Sequence, residues 1–113
     1  MKKIEAIIRP EKFQSLRNAL SAIGIGGLTV TEAAGTGKQK GQTGMFRGTS
    51  YQIQLLSKIK VEMVVEETQA EQIVELIIVN CNTGNIGDGK IFIYPIEEIV
   101  RIRTGERGKE AVI

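Results

Sequence analysis

A chain of 113 residues can bury one hydrophobic core but not two, so a single domain spanning residues 1–113 is expected to carry the whole function. Hydrophobic residues make up 42% and charged residues 25%, and no apolar run approaches the roughly 20 residues that a membrane span needs. A net charge of +2 gives no reason to expect nucleic-acid binding, and the absence of histidine excludes Ser-His-Asp, Cys-His and phosphohistidine chemistry.

The first third of the chain predicts a strand, a helix and a second strand. Residues 2–10 alternate as a strand that Pro10 ends, with no export signal before it. Apolar side chains then recur at helical spacing as far as Gly24, at Phe13, Leu16, Leu20 and Ile23. A second strand is predicted from residue 28 to about residue 34. One cysteine, Cys81, fits a reducing compartment, so we expect a cytoplasmic protein, or a stromal one if the gene is in a plastid.

The middle of the chain combines a long glycine-rich loop with a long strand. Residues 35–48 contain five glycines and no apolar periodicity, which predicts an exposed functional loop. Apolar residues then alternate, except at Ser57, at Ile53, Leu55, Ile59, Val61, Met63 and Val65. This alternation predicts a strand whose other face carries Lys58, Lys60 and Glu62.

A second helix and two further strands are predicted in the last part. Thr68 and Glu71 have the spacing of a capping box. The apolar stripe expected behind it consists of Ile73, Val74, Ile77 and Ile78. After an end near Asn82 comes a second glycine loop, residues 82–90, then a strand at 91–94 and a basic strand at about 99–103.

The order of these elements is β-α-β, loop, β-α-β. A shift of 57 residues superimposes Lys3 on Lys60 and Leu16 on Ile73, which is a faint sign of a doubled unit. Doubled β-α-β units form the ferredoxin-like α+β sandwich, with both helices on one face of an antiparallel sheet. The other face then needs a cover, so self-association is expected.

The second glycine loop is the first candidate for chemistry. Residues 84–90 satisfy Gly-x-x-x-x-Gly-Lys, but Ile91 replaces the Ser or Thr of a P-loop, and the segment follows a helix instead of a strand. It is not a P-loop. Glycines still allow backbone N–H groups to converge on an anion beside Lys90. An ordinary helix-to-strand turn is the alternative.

Other cations also fit a phosphate site. Arg101 and Arg103 are two apart on a predicted strand, so both would point to one face and could grip a polyphosphate. A solvated charged face is the alternative. The first glycine loop, residues 35–40, lacks the third glycine of a dinucleotide fingerprint and does not open a helix.

Across almost the whole chain these motifs resemble the PII nitrogen-regulatory signal-transduction proteins, and most of all their cyanobacterial and plastid branch. The resemblance lies in residues 2–10, 39–43, Tyr51, 83–84, 86–92 and 101–106. It implies a homotrimer that binds ATP or ADP in the clefts between subunits, with no enzymatic activity. Each cleft would use both glycine loops of one chain and the C-terminal loop, residues 101–108, of its neighbour.

The resemblance also implies roles for individual residues. Thr29, Glu62 and Val64 would border the adenine. Ribose and phosphates would be surrounded by Gly35, Gly37, Lys38, Gly87, Asp88, Gly89 and Lys90, with Arg101 and Arg103 of the adjacent chain. 2-Oxoglutarate would bind beside MgATP, where Mg²⁺ bridges the phosphates, Gln39 and the oxo-acid, and Lys58 pairs with the distal carboxylate.

The long loop, about residues 37–55, resembles the family's effector arm. It would contact ammonium transporters, the only route to a membrane, and nitrogen-assimilation enzymes. Arg47 matches the residue that plugs the transporter pore. Thr49, Ser50 and Tyr51 are the candidates for covalent modification.

Several residues depart from the family pattern. Lys38 replaces an arginine, and Thr36 and Gly44 replace a phenylalanine and a glutamate. Glu11 and Asn85 replace a phenylalanine and a glutamate on the surface that contacts N-acetylglutamate kinase, which argues against tight binding of that enzyme. The alternative function is a ferredoxin-like trimeric regulatory or metal-tolerance module without a nucleotide site. The Gly-Asp-Gly-Lys loop counts against it. An acylphosphatase-like enzyme is a third possibility.

Overall fold

The computed structural model describes residues 1–36 and 55–112. The elements are β1 (Lys2–Ile8), α1 (Phe13–Ala22), β2 (Thr29–Gly35), β3 (Leu56–Val65), α2 (Glu67–Cys81), β4 (Gly89–Pro95) and a short helix α3 (Lys109–Val112). Within these residues no helix is long and apolar enough to cross a bilayer. The order of the first six elements confirms the doubled β-α-β unit.

The four strands form one antiparallel sheet in the order β2-β3-β1-β4. The first strands of the two units, β1 and β3, are neighbours at the centre, and each unit's second strand lies at an edge. This topology and the two helices confirm the ferredoxin-like α+β fold. The predicted repeat is also seen in the core, because Leu16 of α1 and Ile73 of α2 are both fully buried.

The core lies between the sheet and the two helices. Alternate residues of β1 and β3 point into it, as the period of two predicts. Its buried members are Ile4, Ala6, Ile8, Leu16, Leu20, Val61, Met63, Val65, Ala70, Ile73, Ile77 and Cys81. The opposite, open face of the sheet carries the charged side chains Lys3, Glu5, Lys58, Lys60 and Glu62.

The start of α2 corrects the predicted capping box. The cap residue is Glu66, whose backbone is extended, with φ −69° and ψ 148°, and no side chain caps the helix. Thr68 therefore lies inside the first turn. The chain leaves β3 at Val65 and turns at once into the helix, with the Gln69 N–H donating to Glu66 O at 3.0 Å. Tertiary pairing of β3 thus sets the helix start two residues before the motif.

Two predicted core positions are also wrong. Ile78 is 42% exposed, because the buried stripe of α2 follows Ala70, Ile73, Ile77 and Cys81. Leu55 is 74% exposed, since β3 begins one residue later, where Leu56 pairs with Gly35. Ile53 lies outside the described residues.

The C-terminal segment is not the predicted strand at 99–103. It forms a hairpin-like turn, here called the C-terminal hairpin (residues 99–108), closed by an isolated bridge between Val100 and Arg107. The Arg101 N–H donates to Glu106 O at 2.9 Å, and the Gly105 N–H donates to Arg101 O at 2.7 Å. Gly105 adopts φ 74°, which suits glycine. The alternation of Ile and Arg is too short to make a strand before this turn.

Candidate functional site

A pocket of about 400 Å³ opens where the ends of β2 and β3 meet the second glycine loop. It is lined by Ile7, Gly35, Thr36, Leu56, Lys58, Ile86, Gly87, Gly89, Lys90 and Phe92. The volume lies within the range of small-molecule sites. Gly35 and the Gly-Asp-Gly-Lys segment are 50 or more residues apart in sequence, and the antiparallel sheet makes them walls of the same pocket.

The second glycine loop is organised by one carboxylate. Asp88 accepts hydrogen bonds from the Thr83 hydroxyl, from the backbone N–H of Thr83 at 2.7 Å and from that of Gly84 at 3.0 Å. The Arg9 Nε donates to the same carboxylate at 2.9 Å. The Thr83 hydroxyl and Arg9 hold the pKa of Asp88 well below its ordinary value.

Gly89 is required by the close approach of β4 to β1. Its φ is 109°, and a Cβ added there would lie 1.7 Å from the Ile7 carbonyl oxygen. Only a residue without a side chain permits this pairing. The strand therefore begins two residues earlier than the predicted residue 91, and Lys90 lies on the first residues of β4 opposite Ile7.

Lys58 brings a positive charge into the pocket from β3. It lies opposite Ala33, on the open face of the sheet, and its Nζ donates to the Gly87 carbonyl at 2.5 Å. The ammonium group thus joins the central sheet to the second glycine loop. Lys58 and Lys90 make the lining suitable for an anion.

The residues expected at the adenine lie together at the other end of the same face. Thr29 is opposite Glu62 in the register, and Val64 is the next residue of β3 on that face. Glu62 lies four residue steps along β3 from Lys58, which corresponds to about 13 Å. Lys3 Nζ lies 2.7 Å from the Glu62 carboxylate, and this contact lowers the pKa of Glu62.

Arg101 and Arg103 do not line the pocket of their own chain. Arg101 Nη1 pairs with the Glu106 carboxylate at 2.7 Å, and its Nη2 donates to Glu110 O at 2.9 Å. Arg103 is exposed near the tip of the C-terminal hairpin, next to Ile102, which is 100% exposed. The prediction that both arginines share one strand face is wrong, because the segment turns.

Seven of the predicted site residues lie outside the described residues: Gly37, Lys38, Gln39, Arg47, Thr49, Ser50 and Tyr51. Their proposed roles stay predictions. In residues 1–36 and 55–112, no group of three or more His, Cys, Asp or Glu side chains could hold a metal ion.

Three residues of the site were missed by sequence reasoning. Arg9 and Thr83 both bind Asp88, and Lys3 holds Glu62. The signal for Arg9 was a charged residue between the end of an apolar strand and a proline. Lys3 alternates on the polar face of β1, where solubility explained it equally well. No pattern along the chain indicates a partner 59 or 79 residues away.

Known proteins are similar to this chain over almost its whole length. A family model described as Nitrogen regulatory protein P-II matches residues 1–106. Nitrogen regulatory protein P-II of Microchaete diplosiphon is 55% identical over 112 residues, 99% of this chain and 100% of that protein. The protein of the same description from Rhodospirillum rubrum is 54% identical with the same coverage. A crystal structure of Arabidopsis thaliana PII bound to citrate has a TM-score of 0.79 at 40% identity, covering 98% of this chain and 88% of that chain.

Proposed function

The chain belongs to the nitrogen regulatory protein P-II family, and we propose that it senses ATP or ADP together with 2-oxoglutarate without catalysing a reaction. Membership makes it a nitrogen-regulatory signal-transduction protein. The observation that supports a ligand-binding sensor is the pocket shared by Gly35, Lys58, Gly87, Gly89 and Lys90. Backbone N–H groups and two ammonium groups on one concave surface are suited to phosphate and carboxylate ligands.

The nucleotide would lie along the open face of the sheet. Its phosphates would meet Gly35, the backbone of residues 87–89, and Lys90, and its adenine would lie near Thr29, Glu62 and Val64. The separation of about 13 Å along β3 between Lys58 and Glu62 supports this polarity. Gly37 and Lys38 would extend the phosphate site. Arg101 and Arg103 would come from the adjacent chain, which agrees with their position outside the pocket of their own chain.

2-Oxoglutarate would occupy the Lys58 side of the pocket. The Lys58 ammonium group donates to the Gly87 carbonyl oxygen in this structure. A carboxylate of 2-oxoglutarate would replace this carbonyl as the acceptor, because a charged acceptor forms a stronger hydrogen bond with an ammonium group. Mg²⁺ would be held by the nucleotide phosphates, Gln39 and the oxo-acid, since magnesium commonly combines few protein ligands with substrate phosphates. The citrate in the Arabidopsis thaliana PII structure supports a small organic acid as a ligand.

Signalling would require a homotrimer and the effector loop, about residues 37–55. Two observations support self-association: Ile102 is fully exposed on a hydrogen-bonded hairpin, and Phe92 and Tyr94 are about two-fifths exposed on the open face.

Through Arg47 and its neighbours the effector loop would control ammonium transporters and nitrogen-assimilation enzymes, with Thr49, Ser50 or Tyr51 as modification sites. Glu11 and Asn85 are both exposed, where they would weaken binding to N-acetylglutamate kinase. The cell compartment would be the cytoplasm or the plastid stroma.

Calorimetry tests this function. ATP should bind alone, and 2-oxoglutarate should bind only with ATP and Mg²⁺ present. Lys58→Met should abolish 2-oxoglutarate binding and weaken ATP binding only about threefold, the value of one net hydrogen bond. Lys109→Met, which removes an exposed lysine paired with Glu66, is the matched control. A wild type without ATP binding would favour the module without a nucleotide site, and normal 2-oxoglutarate binding by Lys58→Met would refute the acid site.

A further inference from the structure

The side chain of Asp88 is directed at its own loop and not at the pocket. Its carboxylate accepts from Thr83 twice, from Gly84 and from Arg9. These four contacts occupy the roughly four lone-pair positions of a carboxylate. Asp88 is also the one aspartate among thirteen acidic residues, and the longer side chain of glutamate would push the carboxylate into the Thr83–Gly84 backbone. The short acid is therefore matched to this geometry.

Arg9 fixes the same loop from outside it. Its Nε binds Asp88, while its Nη2 donates to the Ile86 carbonyl at 3.0 Å. The backbone of Arg9 is itself held between β1 and the 3₁₀ turn at Pro10–Lys12, where the Lys12 N–H donates to Arg9 O at 3.0 Å. Arg9 thus fixes the second glycine loop relative to the end of β1. It also neutralises an acid that would otherwise repel an anionic ligand.

The loop needs such a constraint. Gly87 and Gly89 flank Asp88 with φ of 103° and 109°, and glycine backbones have many alternative conformations. Lys58 holds Gly87 O from the pocket side, but a bound acid would compete for that ammonium group. Asp88 itself is not among the residues that line this pocket.

We infer that Arg9 and Asp88 are a positioning pair that holds the backbone of residues 83–88 in place beside the pocket, without contact between the Asp88 carboxylate and the ligand. This inference rests on the proposed function for its ligand. It assigns Asp88, expected among the residues around the phosphates, to the support of that site. Because both residues act through one loop, their contributions to binding are not independent.

The test compares Asp88→Asn, Arg9→Met and their double variant, using calorimetry with ATP. Each single variant should bind about tenfold more weakly, the usual cost of one charge-assisted contact. The double variant should bind no more than about threefold more weakly than the worse single one. Arg9→Lys should recover part of the affinity, because an ammonium group can reach Asp88 but cannot also hold Ile86 O. Arg17→Met, at an exposed arginine of α1, is the matched control.

A readout without ligand separates this inference from the proposed function. Amide hydrogen exchange by NMR should show the Thr83 N–H, which donates to Asp88, protected in the wild type and exchanging at least about tenfold faster in Asp88→Asn, when the two are compared under conditions of equal global stability. Should Arg9→Met or Asp88→Asn not fold, Thr83→Val removes the hydroxyl that donates to Asp88 and accepts from the Asn85 N–H at 3.3 Å, and it should weaken ATP binding about threefold. Unchanged exchange overturns the inference even if ATP does not bind. Losses that multiply to about a hundredfold in the double variant also overturn it, because Arg9 would then contact the ligand itself.

Discussion

The second glycine loop and the C-terminal hairpin are both polar turns, but they are held in opposite ways. The loop is tied to the central sheet by Arg9 and Lys58, across 79 and 29 residues of sequence. The main ties of the hairpin are within residues 99–110, through Arg101, Glu106 and the Val100 bridge. The first is part of the domain's framework, whereas the second is a self-supporting arm with a fully exposed tip at Ile102.

This difference indicates a division of labour. A loop fixed to the sheet can define the binding surface of its own chain. An arm fixed mainly to itself keeps its shape while it projects, so it can complete the site of a neighbour. Substitutions in the loop should therefore damage the fold and the site together, and substitutions in the arm should damage only the site.

The largest effect is expected from Gly89→Ala. The new Cβ would overlap the Ile7 carbonyl oxygen and occupy a positive φ, so the free energy of unfolding should fall by more than about 3 kcal/mol. Gly84→Ala is the matched control, since it has φ 82° but no neighbour within 4 Å, and should cost about 1–2 kcal/mol. Urea unfolding measures both. Equal losses would show that β1 and β4 can separate at little cost.

Lys90→Ala and Arg103→Ala should each lower ATP affinity at least about tenfold, since each removes a charge-assisted contact worth on the order of 1.5–3 kcal/mol. The two residues differ in where they would act: Lys90 in the pocket of its own chain, and Arg103 in the pocket of the adjacent chain. In the proposed trimer, coexpression of the two variants should restore some strong sites, because an intact Lys90 of one chain would meet an intact Arg103 of its neighbour. Calorimetry of the mixed trimers measures this recovery, with Arg17→Ala as the control.

Two outcomes of that experiment would contradict the comparison. Unchanged ATP binding in both single variants would refute the site. Loss in both without recovery in mixed trimers would mean that Arg103 serves the pocket of its own chain, and the hairpin would then be a second wall of that pocket.

Acid should destabilise the fold in part through the Asp88 carboxylate of the second glycine loop. A carboxyl group with a lowered folded-state pKa stabilises the fold above its unfolded value of about 4 and loses this contribution as pH falls toward the folded value. Asp88 and Glu62 both have lowered pKa values. The urea concentration at the unfolding midpoint of the wild type should therefore fall as the pH is lowered from about 5 to about 3. The midpoint of Asp88→Asn should fall less over the same range. Parallel curves for the two proteins would show that Asp88 is not coupled to folding.

The smallest effect is expected from Glu106→Gln. The Arg101–Glu106 pair is partly exposed, with side-chain exposures of 28% and 42%, so solvent screens most of its energy. Unfolding free energy should drop by less than about 1 kcal/mol, while ATP affinity should change less than in Asp88→Asn. Thermal unfolding and calorimetry check both. A loss as large as that of Asp88→Asn would mean that the arm depends on this pair as the loop depends on Asp88.

Sequence patterns predicted the parts of the molecule that repeat. The alternation in β1 and β3 and the helical spacing of Leu16 and Leu20 follow from burial on one face, which leaves a periodic trace. The second glycine loop was also visible, because the positive φ of Gly84, Gly87 and Gly89 favours glycine at fixed positions. These signals are local, and so the order of elements and the fold class could be derived from them.

The failures occur where distant partners decide the structure. Thr68 has the right spacing for a cap, but the length of β3 decides where α2 begins. Arg101 and Arg103 alternate like a strand, but no strand within residues 1–36 and 55–112 pairs with them, and Gly105 turns the chain. Asp88 looks like part of a phosphate motif, and only the fold shows that Arg9 is its partner.

The ion pair of Arg9 and Asp88 also bears on what the protein can report. Histidine, the side chain whose charge ordinarily changes near neutral pH, is absent from the sequence. The acid that shapes the loop has a pKa far below that region. The loop geometry that Asp88 supports is therefore expected to change little with proton concentration near neutral pH.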